Sequence, residues 1–301
     1  MYLLILGCER ERVFRFIFLL NIYHKSMNTK TLVYTTFYVK NPSYESLIWE
    51  WLISLRTLGN YKGEVIIFDY GMPQELIDKL NNFELGAPTI IKLPESENGL
   101  ISNRRNIDVI PHLEKYKDYM FAHFDADIWF QRDISPLWED CSNTQGVVVG
   151  KEVGRMCRYR GPANEEEHFQ KQQDIFKGFI FGGFIAGKYE PYLNKLKYMK
   201  NLFETTWKPT IEWGTDQAMI THITDPEVDY VEGIIYGASV YFCEVEDKII
   251  CKCNDHDYIH QGKEVIGIHV LAFNSVGFEK EDQYLKYRFK TRYPELWQKH
   301  Q

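Results

Sequence analysis

The first hundred residues show two alternating patterns of hydrophobic and polar positions. Short β-branched and aromatic runs, typical of strands, occur at residues 31–37, 64–69 and 89–93. Stretches with apolar side chains at helical spacing lie between them, at residues 44–58 and 72–80. This order of strand, helix, strand, helix and strand predicts a parallel sheet with right-handed crossover connections.

The most distinctive run covers residues 119–130, where an apolar and aromatic stretch leads into Asp125 and Asp127. Because the stretch is short and nearly free of charge, it is typical of a buried strand. Side chains at i and i+2 of an extended backbone point to the same side, so two buried carboxylates there need a cation or a proton. Two carboxylates and the oxygens of a diphosphate suit Mg²⁺ or Mn²⁺. The run predicts a metal–diphosphate site at the end of a central strand, and a turn with two solvated aspartates is the alternative.

A second unusual stretch, residues 176–187, places Gly182 and Gly183 inside an apolar strand pattern. Glycine within a strand indicates that another group approaches the backbone closely. That group could be a sugar or a diphosphate, and a tight bend or bulge in the core fits the sequence equally well.

Three further groups of polar residues could contribute to the same site. Arg104 and Arg105, at a predicted helix start before the central strand, could hold an anionic or planar ligand or be solvated helix-end charges. Asp216 and Gln217 begin another predicted helix, where capping alone would explain Asp216. His269 lies on a late apolar strand, and a lone histidine there is more often a satisfied core group than a ligand.

The remaining segments carry weaker patterns. Residues 131–138 predict a turn that leads back to the sheet, and residues 189–203 predict a helix. Residues 154–174 keep no apolar period, which predicts a loop or short helix over the active face or a solvated surface excursion. Residues 279–298 predict a basic and aromatic terminal helix. Such a helix could touch an acidic membrane surface peripherally, although packing back on the domain is its commoner use.

Composition narrows the class of protein. The 301 residues carry a net charge of −7, which argues against bulk nucleic-acid binding. Six scattered cysteines indicate reduced thiols and a cytoplasmic location, and residues 13–23 are too short to span a membrane. We interpret residues 1–27 as an N-terminal extension that is disordered or not native, and residues 28–301 as a single domain.

The order of these motifs resembles glycosyltransferases of the GT-A (nucleotide-diphospho-sugar transferase) type, from about Thr31 to Asn274. The spaced motifs are most similar to those of glycosyltransferase family 8, the glycogenin and bacterial galactosyltransferase type. The Phe-Gly-Gly sequence at residues 181–183 also resembles family 6, the blood-group type. The resemblance implies an α/β fold with a mixed, mostly parallel central sheet flanked by helices.

The resemblance also implies roles for individual residues. Mn²⁺ or Mg²⁺ would be bound by Asp125, Asp127 and His269, with Asp125 also near the donor ribose. Asp216 and Gln217 match the catalytic Asp-Gln pair beside the transferred sugar. The other donor-binding positions are Thr35, Thr36 and Phe37 at the base, Arg104 or Arg105 at the nucleotide or sugar, and Gly182 and Gly183 where the donor needs room.

The implied activity is metal-dependent transfer of a hexose from a nucleotide sugar, UDP-sugar by resemblance, to a glycan, lipid or protein acceptor with retention. Gln217 would then support the oxocarbenium face, whereas an inverting variant would need a base, for which Asp216 is the candidate. The family usually follows its late histidine with Gly and then Lys-Pro-Trp. Here Val270 and Leu271 follow His269, so the lysine that touches the diphosphate is absent from this place.

Two other functions fit parts of the pattern. An apolar strand followed by Asp-x-Asp also resembles HAD-type phosphatases, in which Asp125 would be the nucleophile and Asp127 the acid/base. That family expects Thr or Val soon after the second Asp and a late Asp-Asp pair, neither of which the sequence has. A catalytically silent protein that binds nucleotide sugars or carbohydrates is the other alternative. Replacing Asp127 by Ala would abolish turnover and metal-dependent donor binding in an enzyme and leave a metal-independent binder unchanged.

Overall fold

A computed structural model describes residues 30–39, 44–94, 104–153, 165–207, 215–231, 233–239, 251–254, 257–260, 263–270 and 288–301. The predicted N-terminal extension, residues 154–164 of the predicted excursion and residues 279–287 of the predicted terminal helix lie outside these ranges.

The described strands are β1 (Lys30–Phe37), β2 (Glu64–Asp69), β3 (Thr89–Lys92), β4 (Tyr119–Phe124), β5 (Ile128–Phe130), β6 (Val147–Val153), β7 (Gly178–Lys188), β8 (Ala238–Ser239), β9 (Cys251–Asn254), β10 (Asp257–His260), β11 (Lys263–Glu264) and β12 (Gly267–His269). The described α-helices are α1 (Glu45–Arg56), α2 (Gln74–Asn81), α3 (Ile110–Leu113), α4 (Ser135–Asn143), α5 (Glu166–Phe176), α6 (Tyr189–Leu202), α7 (Thr215–Ile223), α8 (Phe289–Arg292) and α9 (Pro294–His300).

The central sheet has six strands in the order β3-β2-β1-β4-β7-β6. The first four of these run parallel to their neighbours, and β7 is antiparallel to both β4 and β6. The prediction of a mixed, mostly parallel sheet flanked by helices is therefore confirmed. Strand β4, which leads into the two aspartates, lies between β1 and β7 and is buried along nearly its whole length.

Helices cover the two faces of this sheet, because successive side chains of each strand enter opposite cores. One core receives Val33 and Phe124 from the sheet and the apolar stripe of α1, including Trp51 and Leu52. The other core receives neighbouring sheet residues and apolar side chains from α3, α5, α6 and α7. The periodic apolar stripes read from the sequence thus place α1 and α6 as predicted.

A smaller three-stranded sheet, in the order β5-β12-β8, lies next to the end of β4. Strand β12 is antiparallel to β5, with His269 opposite Ile128, and parallel to β8. Since Ile128 directly follows Asp127, this pairing brings the late histidine beside the second aspartate. Strands β9, β10 and β11 form a separate antiparallel sheet.

The C-terminal segment packs against α1 and β5. Arg288 donates from Nε to the Glu50 carboxylate at 2.9 Å, and both side chains are buried. The Phe289 and Tyr293 rings lie 6.0 and 5.8 Å from the ring of Trp129 on β5. Within residues 288–301 the aromatic side chains therefore face the core, which is the packing the sequence analysis favoured over membrane contact.

Several local predictions need correction. Residues 131–138 do not form a simple turn, because Ser135 begins helix α4 with a proline in its first turn. Residues 166–176 form the eleven-residue helix α5, which begins within the predicted segment 154–174 and ends two residues beyond it, so the short-helix alternative is confirmed there. The described part of the terminal segment contains two short helices, α8 and α9, divided at Tyr293, and not one long helix. None of the helices in the described ranges combines the length and apolar character that a bilayer crossing requires.

Candidate functional site

The two aspartates of the Asp-x-Asp motif lie in a turn, not on an extended strand. Strand β4 ends at Phe124, and the Ile128 N–H donates to the Asp125 carbonyl at 3.0 Å. The Asp125 N–H donates to the Gly183 carbonyl at 2.8 Å, so the turn is anchored on β7. The predicted backbone geometry was therefore wrong, although the turn still brings the two carboxylates together.

Asp125, Asp127 and His269 each offer one ligand atom, and these atoms all lie within 4.8 Å of one another. His269 Nε2 is 3.4 Å from Asp127 Oδ1. The Val270 N–H donates to the Asp127 carbonyl at 2.9 Å, so the backbones on both sides of this contact are also joined. The structure thus assembles the three residues that the sequence analysis assigned to a metal.

The donor set of this cluster fits a divalent cation. Two carboxylates and an imidazole suit Mn²⁺, and carboxylates suit Mg²⁺. Adjacent ligands of an octahedral ion lie about 3 Å apart when each is about 2.1 Å from the metal. The 3.4 Å between Asp127 and His269 is close to that spacing. Metal binding itself stays a prediction.

Arg105 connects the candidate metal cluster, Asp125, Asp127 and His269, to the Asp-Gln helix. It donates to Asp125 Oδ1 at 2.5 Å, to Asp216 Oδ2 at 2.6 Å and to the Gly182 carbonyl at 3.0 Å. Burial opposes the charge on Arg105, but the flanking Asp125 and Asp216 outweigh burial and raise the pKa of Arg105 above its ordinary value. One guanidinium therefore joins three motifs that are widely separated in the sequence.

Arg104 has a different environment from that of its neighbour. It forms a bidentate ion pair with Asp108, and Tyr70 donates to the same carboxylate at 3.0 Å. Its side chain is 41% exposed, against 16% for Arg105. Of the two arginines between which the sequence did not choose, Arg105 is the one that contacts the aspartates of the site.

Asp125 titrates in an unusual environment. Burial raises the pKa of Asp125 to about 6; Arg105 and His269 oppose the rise and Asp127 adds to it. His123, two residues earlier, is fully buried, and its Nε2 lies 3.6 Å from Asp125 Oδ1. Burial and the charge on Arg105 lower the pKa of His123 well below its ordinary value, so this imidazole is neutral. Neither of its ring nitrogens has a hydrogen-bond partner among the described residues.

The two glycines of β7 lie where the strand bulges. Val149 pairs with Ile185 and Lys151 with Ile180, so residues 181–184 of β7 lie opposite the single residue 150 of β6. A Cβ on Gly182 would lie 3.4 Å from both Arg105 and Gln217. A Cβ on Gly183 would lie 2.4 Å from the Phe181 ring and 2.7 Å from Asp125 Oδ2. The predicted alternative of a bulge is therefore confirmed, and the groups that approach the two glycines are side chains of this chain. Room for a sugar or a diphosphate stays a prediction.

Asp216 and Gln217 lie in the first turn of α7, as predicted. Asp216 is 3% exposed, and its Oδ2 accepts from Arg105. The backbone of Gln217 packs toward Gly182, close enough to meet a side chain placed there. The pair therefore borders the metal cluster through Arg105 and the glycine bulge.

The predicted base-binding residues form the C-terminal end of β1. Thr35 and Phe37 are buried, with Phe37 inside the α1-side core, and Thr36 is partly exposed. Tyr34 on β1 pairs with His123 on the adjacent parallel strand β4. Thr36 follows Tyr34 by two residues, and Asp125 follows His123 by two residues. The end of β1 thus adjoins the turn with the aspartates, and Thr36 is its more accessible residue.

Two residues beside the cluster were missed by the sequence analysis. His123 shares the β4 face that leads to Asp125, and its position two residues before the first aspartate was the available signal. The Phe181 ring contacts the His269 ring, with centroids 4.7 Å apart, although the two residues belong to distant strands. Only the Phe-Gly-Gly sequence marked Phe181 as unusual.

Comparison with known proteins adds little. No protein-family model matches the chain, and no curated protein matches it. Among solved structures, apo mouse xyloside xylosyltransferase 1 matches with 14% identity over 80% of this chain and 97% of that one, at a TM-score of 0.47. A likeness at this level does not bear on function.

Proposed function

We propose that this protein is a metal-dependent glycosyltransferase with a GT-A-type fold. It moves a hexose from a nucleotide sugar, a UDP-sugar by the sequence resemblance, to a glycan, lipid or protein acceptor with retention. The observation that carries this proposal is the convergence of Asp125, Asp127 and His269 at the end of β4, with Arg105 bridging to Asp216. The sequence motifs favour family 8 over family 6.

Charge supports a divalent cation in this place. Asp125, Asp127 and Asp216 are three carboxylates, and Arg105 is the guanidinium that contacts two of them. If all three carboxylates are ionised, they exceed the guanidinium by two negative charges, which one Mn²⁺ or Mg²⁺ would balance. When bound, such a cation would offset the charge that develops on a departing diphosphate.

Arg105 is the residue that we expect to replace the missing phosphate lysine. Members of the family that the sequence resembles carry a lysine shortly after the late histidine, and this lysine is absent here. A guanidinium has five donors in a fixed fork and recognises phosphate well. Arg105 already lies beside a proposed metal ligand, so it can neutralise and orient the diphosphate from the side of β7.

Asp216 and Gln217 are proposed to orient the transferred sugar. Asp216 is engaged by Arg105 at 2.6 Å, which suits a positioning role better than that of a base in an inverting reaction. Gln217 lies next to the Gly182 bulge, where a sugar would need room. This arrangement favours retention, with Gln217 supporting the oxocarbenium face.

The other assignments are extensions of the same proposal. Thr35, Thr36 and Phe37 are proposed to border the nucleotide base, with Thr36 as the contacting side chain because it is the more accessible. We propose that residues 28–301 form the catalytic unit and act in the cytoplasm. Contact with a membrane surface through the basic side chains of the C-terminal segment is a further proposal.

Thermal unfolding with a panel of nucleotides and nucleotide sugars tests the function. A ligand that binds only the folded state raises the free energy of unfolding by mass action, by about 2.7 kcal/mol at a hundred times its Kd, and the melting temperature rises with it. We expect one UDP-sugar to stabilise the protein with Mn²⁺ present and to lose that effect in EDTA.

The matched variants are Asp127→Ala and Asp118→Ala. Asp118 is exposed just before β4, at the opposite end of that strand from the proposed site. Asp127→Ala should abolish the Mn²⁺-dependent shift and turnover of the donor, and Asp118→Ala should keep both. If nothing nucleotide-like stabilises the wild type with or without Mn²⁺, the proposal is wrong and the phosphatase and binding-protein alternatives take its place.

A further inference from the structure

We propose that Phe181 is a positioning residue that holds the His269 imidazole toward the two aspartates. This inference rests on the proposed metal function of His269. The two rings are in contact at a centroid distance of 4.7 Å and an angle of 49°. Both side chains are buried, with 5% of Phe181 and 6% of His269 exposed.

The backbone of His269 is fixed, but its ring is not fixed by the backbone alone. Strand β12 is held between β5 and β8, and this pairing places the His269 Cα opposite Ile128. The imidazole can still rotate about its side-chain bonds. Asp127 Oδ1 lies 3.4 Å from Nε2, and the Phe181 ring packs against the imidazole, so together they restrict its orientation.

Two glycines leave the space that the Phe181 ring fills. A Cβ on Gly183 would lie 2.4 Å from the ring at Cζ, and a Cβ on Gly237 would lie 2.7 Å from Cε1. Cβ atoms in proteins essentially never lie within 3.0 Å of another side chain, so any side chain at either position displaces the ring. Gly183 belongs to β7, and Gly237 directly precedes β8, which pairs with β12.

This packing gives Gly183 a second reason to be glycine. The sequence resemblance assigned it to the room that a donor needs, whereas its nearest neighbours are the Phe181 ring and the Asp125 carboxylate. The bulge in β7 therefore packs the Phe181 ring against His269 and leaves the backbone of Gly183 next to Asp125, so it borders two of the proposed metal ligands. Phe181 acts only through His269, because a phenyl ring has no atom that binds a cation of this kind as a ligand.

The first test compares Phe181→Leu with Phe184→Leu. Phe184 is on the same strand, is fully buried and packs on Phe124 and Tyr236, whereas the Phe181 ring packs on His269. Both variants remove an aromatic ring from the core, but only one removes the contact with the imidazole. We expect Phe181→Leu to weaken Mn²⁺ binding about tenfold, the range for loss of a residue that orients a metal ligand. Phe184→Leu should leave the Mn²⁺ Kd unchanged.

Mn²⁺ binding is measured with the whole chain, with and without UDP, together with pulsed EPR of the bound ion. Coupling to an imidazole nitrogen reports His269 as a ligand, and His269→Gln should abolish it. Phe181→Leu should reduce this coupling even when Mn²⁺ saturates the protein. A merely structural role for Phe181 would lower the melting temperature and leave the nitrogen coupling intact. If Phe181→Leu fails to fold, Phe181→Met serves in its place, because the unbranched methionine side chain adapts to an irregular gap.

The second test does not involve metal. Gly237→Ala should lower the melting temperature in the wild-type background because its Cβ meets the ring, and Phe181→Leu, which lacks the ε carbons, should relieve most of that loss. If Gly237→Ala lowers the melting temperature equally in both backgrounds, the Phe181 ring does not fill the space beside Gly237. Equal Mn²⁺ affinities of the Phe181 and Phe184 variants, or unchanged nitrogen coupling, would overturn the positioning role. If the wild type binds no Mn²⁺ with or without UDP, the proposed function fails first and the positioning role fails with it.

Discussion

The Arg105 guanidinium lies 2.5 Å from Asp125 Oδ1, so the segment before β4 is tied to the turn after it. Both side chains are only 16% exposed. The pair places a fixed positive charge beside a carboxylate that we propose as a metal ligand. Arg105 and a bound cation would therefore share the task of neutralising the same aspartate.

Replacing Arg105 by Met should reveal this shared task. The change leaves Asp125 and Asp216 without their guanidinium, and breaking a buried ion pair in this way lowers the free energy of unfolding by about 3 kcal/mol. Mn²⁺ should then raise the melting temperature more in Arg105→Met than in the wild type, because the cation supplies the lost charge. Chemical denaturation and thermal unfolding with and without Mn²⁺ measure the two effects.

Arg104→Met is the matched control for that experiment. Its partner is Asp108, and the arginine is 41% exposed, so the expected change in unfolding free energy is below about 1 kcal/mol. The control should respond to Mn²⁺ as the wild type does. A response of Arg105→Met no larger than that of Arg104→Met would contradict the shared neutralisation.

Metal affinity should depend on pH in a defined direction. Burial raises the pKa of Asp125 to about 6, above the ordinary value of 3.8. A carboxyl must lose its proton to bind a metal, so Mn²⁺ affinity should be constant well above pH 6 and fall about tenfold for each unit below it. Titrations of Mn²⁺ between pH 5 and pH 8 would show the break. An affinity that stays flat down to pH 5 contradicts the raised pKa.

The same pKa predicts how stability without metal changes with pH. Since Asp125 binds its proton more tightly in the folded than in the unfolded chain, its contribution is full below about pH 4 and is lost as pH rises through about 6. Relative to Asp125→Asn, the metal-free wild type should therefore lose stability over that window. Paired denaturation curves at several pH values give this difference directly.

The two glycines of the bulge should respond differently to alanine. Gly183→Ala brings a Cβ to within 2.4 Å of the Phe181 ring, so it should lower the unfolding free energy by about 2 kcal/mol and weaken Mn²⁺ binding. The Cβ of Gly182→Ala would lie 3.4 Å from its nearest atoms, an ordinary contact. This variant should therefore keep the unfolding free energy and the Mn²⁺ affinity of the wild type. If Gly182 makes room for the donor, this variant should instead raise the KM for the nucleotide sugar. Similar losses of stability in both variants would contradict the distinction.

The buried pair of Glu50 and Arg288 should be sensitive to loss of one partner. Each side chain is 3% exposed, and the carboxylate also accepts from the Phe289 N–H at 3.0 Å. Glu50→Ala should lower the unfolding free energy by about 3 kcal/mol or more, because it removes the carboxylate that pairs with the buried Arg288. Glu50→Met with Arg288→Met should recover much of the loss, which urea denaturation can measure. A double variant as unstable as Glu50→Ala would show that the pair itself is required.

The sequence predicted the elements that have a clear period. The predicted bounds of β2 match Glu64–Asp69 because a short apolar run lies between two charged residues. Helix α6 was placed to within a residue because its apolar side chains recur at helical spacing. Helix α5 was less clear, since two glutamates and a histidine are its first three residues. Its signal was Phe169, Gln173 and Phe176, which recur at helical spacing and are buried, but one of the three is polar.

The site was only partly predictable. Asp125 and Asp127 were found because carboxylates after an apolar strand are chemically unusual, and His269 was assigned through the family resemblance. The link from Arg105 to Asp216 spans 111 positions and has no local pattern. The contact between Phe181 and His269 depends on the bulge in β7 and on the pairing of β12, which are properties of the fold.

The placement of β12 has a consequence for the order in which the protein is made. All six strands of the central sheet come from residues 30–188, whereas the strand with His269 spans Gly267–His269. On a ribosome, the sheet can leave the exit tunnel and form while β12 has yet to be synthesised. A nascent chain of that length has the two aspartates but not His269 beside them. If Asp125, Asp127 and His269 bind a cation together, as we propose, the complete ligand set forms only after β12 has been synthesised and has joined the small sheet.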